Sequence, residues 1–108
     1  RHVKELIEAG VPIFHDAPAA ILLLVPHGDQ MARIDTALAG QTLMLAAQAR
    51  GLATCPVALA NAYLNLPSTQ AALGLPDDVE VLLTILIGTA DGPWPDMPPR
   101  QEPTIHWC

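Results

Sequence analysis

Three observations predict an α+β fold. Two apolar runs, Ala20–Val25 and Val79–Ile87, show no polar alternation, the pattern of strands covered on both faces. Between them Gln30–Arg50 carries apolar residues at helical spacing. Turn-forming residues separate the pieces: Pro26-His27-Gly28-Asp29 ends the first strand, and Leu75-Pro76-Asp77-Asp78 precedes the second.

Taken in order, Val3–Ala9 reads as a short helix with Val3, Leu6 and Ile7 on one face and Gly10 as its stop. Pro12 and Pro18 bracket a loop around Phe14-His15-Asp16. The first strand follows, and then the main helix. In that helix Met31, Ile34, Leu38, Leu45 and Ala49 form one stripe, while Leu43, Met44, Ala46 and Ala47 extend apolar character around the later turns. A helix that is apolar nearly all round is expected to be buried. Gly40 in its middle costs about 1 kcal/mol relative to Ala, which is tolerable where something packs closely. Gly51 supplies the stop. Leu52–Ala60 reads as a connection with strand-like character, Asn61–Leu64 as a turn of helix, and Pro67–Leu73 as a short helix ending at Gly74. The second strand ends at Gly88. Residues 89–108 read as an extended proline-rich arm, with Ile105-His106-Trp107 as a brief final strand.

Two strands and one long helix cannot close a sheet, and a two-stranded sheet is marginal in water. The 108 residues are therefore expected to be part of a single α/β sandwich domain whose other strands come from elsewhere. Composition agrees. Only 15% of residues are charged, against roughly 25% in a typical soluble protein. That is too little to cover a free-standing monomer, so apolar surface is expected to meet a second subunit, a cofactor or a further part of the protein. The chain begins with Arg rather than Met, which marks it as cut, processed or partial.

The net charge of −6 excludes a basic face for phosphates, so neither nucleic acid nor an anionic membrane is an expected partner. The apolar runs fall far short of the roughly 20 residues of a membrane span, and the charged N-terminus is not that of a signal peptide. Cys55 and Cys108 do not make a disulfide framework, and a reducing cytoplasmic compartment is expected.

No residue announces a side-chain chemistry. The four histidines have no metal-like spacing and read as surface or loop residues, so no metal site is expected. His15-Asp16 has the makings of a base and its orienting carboxylate, but sequence neighbours point in different directions. Cys55 follows a helix C-terminus, where the dipole disfavours a thiolate, and reads as packed and inert. Glycine-rich phosphate loops and nucleophile elbows are absent from the sequence. Arg100 is the only cationic side chain after Arg50. A lone guanidinium on a semi-rigid arm suits a phosphate or carboxylate; the plain alternative is a solvent-exposed arginine.

One ordered set of pieces points further. It runs Ala17-Pro18, Asp35, Gln41-x-Leu-x-Leu-Ala-Ala, Gly51-Leu52-x-Thr54-Cys55-Pro56, Leu73-Gly74-Leu75-Pro76, Gly88 and Arg100. In that order and spacing the chain, from Phe14 to about Trp107, resembles the C-terminal half of the nitroreductase family of FMN-dependent NAD(P)H oxidoreductases. The GLATCP run resembles its nitrobenzoate-reductase-like branch.

The resemblance implies a homodimer with FMN at the subunit interface. It implies that the isoalloxazine ring packs against Pro56, Val57, Ala58 and Leu59, whose backbone N–H groups face flavin N5 and O4. Arg100 matches the arginine that binds the FMN phosphate, and Pro98 stands where a second basic residue often lies. Hydride would pass from NAD(P)H through FMN to a nitroaromatic or quinone acceptor, with no side chain of this chain acting as acid or base. Family members are roughly twice as long, and their N-terminal portion supplies an arginine-rich motif and polar groups for the flavin. The alternative is a non-catalytic dimerisation or ligand-binding module that keeps the fold without flavin.

Overall fold

A computed structural model describes residues 13–93, 96 and 99–108. The helix expected over Val3–Ala9 lies outside them, as does Pro98. Six elements follow in order: β1 Ala19–Pro26, α1 Gln30–Ala49, β2 Leu52–Pro56, α2 Ala58–Leu64, α3 Pro67–Leu73 and β3 Val79–Thr89. They build the α+β fold that the apolar runs predict.

The strands form one antiparallel sheet in the order β1-β3-β2, so the chain supplies a third strand where two were expected. Leu52–Pro56 pairs with Ile85–Thr89 of β3. The segment is too short to show a period in the sequence; the Gly51 turn (φ 73°) folds it back beside β3.

Helix α1 starts at Asp29, whose carboxylate accepts the Ala32 N–H at 2.9 Å. Such a cap contributes about 1 kcal/mol. The helix lies against one face of the sheet at Gly40. A Cβ placed there would meet Leu83 Cδ2 at 2.5 Å, Leu23 Cδ1 at 3.3 Å and Ile85 Cδ1 at 3.7 Å. The absence of a side chain is what lets helix and sheet approach so closely. Arg33 of α1 makes an ion pair with Glu80 of β3.

Three expectations are corrected here. Within α1 only Gly40 and Ala47 are buried. The stripe of Met31, Ile34, Leu38 and Leu45 faces away from the sheet and stays 55–67% exposed. Close approach favours the small residues, so the large ones turn outward. Likewise β1 is not covered on both faces: of its residues only Val25 is buried. The final strand expected at Ile105–Trp107 is not formed either. Those residues are irregular and exposed, and no strand among the described residues pairs with them.

The opposite face of the sheet carries the main core. Ile13, Val57, Ala60, Leu64, Val81 and Leu86 cluster there, with Phe14, Leu22 and Tyr63 packed against them. Helix α3 has Pro67 at its first position and ends at Gly74 (φ 66°), as the sequence indicates.

Because β2 is short, the β3 residues before Ile85 have no strand on that side. Side-chain amides of α2 and α3 take its place. Asn65 accepts from the Val81 N–H and donates to the Val81 carbonyl, both at 2.8 Å. Gln70 donates to the Val79 carbonyl at 3.2 Å, and Asn61 donates to the Leu82 carbonyl at 2.6 Å. Leu82 is the extra residue of a β-bulge, skipped between the pairs Leu23–Leu83 and Leu24–Val81. Buried backbone groups must be satisfied, and three amide side chains do this where a strand is missing.

Candidate functional site

The junction between β2 and α2 holds four of the five residues singled out from the sequence. Pro56 ends β2 opposite Ile85 and is exposed. Val57 turns its side chain into the core and donates its N–H to the Thr84 carbonyl at 2.9 Å. Ala58 and Leu59 open α2, the first exposed and the second half-buried.

The four are not equivalent as donors. Proline has no N–H, and that of Val57 is already taken. The first-turn N–H groups of a helix have no acceptor within it. Val57, at the N-cap, provides no side-chain cap. Among the described residues this leaves Ala58 and Leu59 with N–H groups free to meet a ligand. The expectation that the whole segment offers donors thus narrows to two adjacent ones. The side chains of Val57 and Leu59 pack into the core beneath them.

What fixes this junction was not foreseen. The hydroxyl of Thr84, a fully buried residue, donates to the side-chain oxygen Oδ1 of Asn61 at 2.7 Å. Thr84 therefore holds the first turn of α2 at both ends, through its backbone at Val57 and through its side chain at Asn61. A signal was present: one threonine in the apolar run VLLTILIG, and two asparagines four residues apart, one on α2 and one at its C-cap.

Arg100 is exposed in the irregular arm, and no hydrogen bond among the described residues ties it to the junction.

A hollow of about 470 Å³ runs along β2 as far as Cys55, the neighbour of Pro56, and is lined by His15, Asp16, Pro18, Thr54, Cys55 and Asp91 among others. His15 and Asp16 both have positive φ, 47° and 55°. Cys55 was expected to be packed, but it is exposed. It stands on the edge strand β2 and not at the helix end; its thiol has only a weak contact, 3.8 Å, to the Pro56 carbonyl. Among the described residues no group of three or more His, Cys, Asp or Glu side chains is arranged to hold a metal ion. Nor is any described helix long and apolar enough to cross a membrane.

Residues 3–89 match the sequence profile of the nitroreductase family. The chain belongs to this family. The match includes Pro56–Leu59 and stops before Arg100. Among curated proteins, nitroreductase NfnB of Mycolicibacterium smegmatis is 39% identical over 80 residues, covering 72% of this chain and 32% of that protein. Among solved structures, a nitroreductase with bound FMN from Bacteroides fragilis superposes with a TM-score of 0.77. It covers 97% of this chain and 60% of that one at 23% identity, a likeness of fold. The FMN-dependent nitroreductase NfnB from Mycobacterium smegmatis in complex with NADPH gives a TM-score of 0.62 at 36% identity, over 69% of this chain and 33% of that one. The nitroreductase chain described here thus spans about a third of the length of the curated relative.

Proposed function

We propose that this chain is the C-terminal part of an FMN-dependent NAD(P)H oxidoreductase that acts as a homodimer on a nitroaromatic or quinone acceptor. The observation that carries the reading is the pair of free N–H groups at Ala58 and Leu59, which follow the exposed Pro56 within the family-matched residues. That donor set suits the N5–O4 edge of a flavin: two adjacent acceptors on one side of a flat, largely apolar ring. FMN, when bound, supplies the hydride chemistry at N5. The protein's part is to present the ring and exclude water. Ala58 and Leu59 N–H groups orient the edge, Pro56 and the backbone of Val57 cover it, and Arg100 meets the phosphate with its guanidinium.

The remaining flavin contacts, on the pyrimidine side and along the ribityl chain, are assigned to parts of the protein beyond these residues. The exposed stripe of α1 supports self-association, since Met31, Ile34, Leu38 and Leu45 form an apolar face that a second copy can cover. Two exposed free thiols, Cys55 and Cys108, agree with a reducing cytoplasm.

The test is the visible absorption spectrum of the purified protein with added FMN. Uptake of flavin, bleaching by NADPH or NADH without oxygen, and return of the colour with a nitroaromatic acceptor is the expected result. A protein that remains colourless with excess FMN would sink the enzyme reading for this chain and leave a binding module with the same fold.

A further inference from the structure

The Pro56–Leu59 junction needs a fixed height above the sheet, because hydrogen bonds to a ligand edge lose strength steeply with small displacements. Three restraints set that height. Pro56 is paired with Ile85 in the sheet. The Val57 N–H is bound to the Thr84 carbonyl. Asn61, one helical turn on, is bound twice: its side-chain oxygen Oδ1 accepts the Thr84 hydroxyl at 2.7 Å, and its amide donates to the Leu82 carbonyl at 2.6 Å. The first two act on the β2 side of the junction, and Asn61 ties the first turn of α2 to β3 by hydrogen bonds. Without it that turn loses its polar anchor and Ala58 and Leu59 shift, while Asn65 and the core contacts still hold the far end of α2.

The partners of Asn61 are themselves rigid. Thr84 is fully buried on the central strand, and Leu82 is the bulge residue of that strand. A half-buried asparagine beside buried Ala60 contributes little packing that alanine or leucine would not. Its two hydrogen bonds are what distinguish it.

Resting on the FMN reading above, we infer that Asn61 is a positioning residue for the flavin edge: through Thr84 and Leu82 it sets where the Ala58 and Leu59 N–H groups stand. Asn65 is the internal control. It makes equally good bonds to the same strand, at Val81, but one turn further from the junction.

The experiment compares wild type with Asn61→Ala, Thr84→Val and Asn65→Ala. Three quantities are read: thermal stability without FMN, FMN affinity by flavin fluorescence, and the reduction potential of bound flavin. Asn61→Ala and Thr84→Val are expected to weaken FMN binding on the order of tenfold and to shift the potential. Asn65→Ala is expected to lower thermal stability at least as much, while affinity and potential stay within about twofold of wild type. If Asn61→Ala does not fold, Asn61→Asp is read in its place, since it keeps the acceptor for Thr84 and loses the donor to Leu82. Unchanged potential and affinity in the Asn61 and Thr84 variants overturn the positioning role alone, as do equal shifts in Asn65→Ala. A wild-type protein that takes up no FMN overturns the flavin reading, and this inference with it.

Discussion

The side chain of Asn65 answers the backbone of Val81 as a neighbouring strand would, with its carbonyl oxygen on the Val81 N–H and its amide on the Val81 carbonyl, each at 2.8 Å. Gln70 supports the arrangement by donating to the Asn65 carbonyl oxygen at 3.2 Å. Asn65→Ala leaves both Val81 groups unpaired against the core. A loss of about 2–3 kcal/mol is expected in urea unfolding, with the slope unchanged. A loss below about 0.5 kcal/mol would mean that water replaces the amide at no cost.

Gly40 is the closest approach of α1 to the sheet. A Val at this position directs its methyl groups at Leu83, Leu23 and Ile85. The Leu83 side chain can turn aside, but its two neighbours close the space. Gly40→Val is expected to destabilise by about 2–3 kcal/mol despite the better backbone entropy of a non-glycine residue. Thermal unfolding checks it.

Ala58→Pro separates donor from fold. Proline suits the first position of a helix, and Val57 before it is already extended, with φ −122° and ψ 91°. Stability should therefore change by less than about 0.5 kcal/mol. One N–H is lost, and FMN affinity should fall about tenfold. Equal FMN affinity in the variant would remove Ala58 from the flavin edge.

Arg100→Ala tests the phosphate. FMN binding should weaken about tenfold, as for a lost charge-assisted hydrogen bond. Riboflavin, which has no phosphate, should bind the variant and wild type alike. Equal losses for both ligands would move Arg100 away from the phosphate.

The outward face of α1 predicts a dimer. Leu38 and Leu45 are 64% and 62% exposed in the single chain. Leu38→Asp combined with Leu45→Asp places charge on that face without touching the sheet contact at Gly40. Sedimentation should change from dimer to monomer, with secondary structure by circular dichroism unaltered. A variant that sediments like wild type would locate self-association elsewhere.

Several features were readable from local chemistry alone. Continuous apolar runs located β1 and β3, Gly51 marked the end of α1, and Pro67 and Gly74 bounded α3, because caps and breakers act within a few residues of themselves. The ordered pieces around GLATCP also pointed to the family. What lay beyond local reach depended on contacts between distant segments. Leu52–Pro56 became a strand only because β3 offered it an edge. The inner face of α1 was decided by which residues are small enough to meet Leu83, so the side with the largest apolar residues turned outward. Which of the three junction N–H groups remain free was decided by Thr84, twenty-seven residues on from Val57. Hydrogen-bond satisfaction and close packing are properties of pairs, and in this chain the pairs that set the site are formed by the fold.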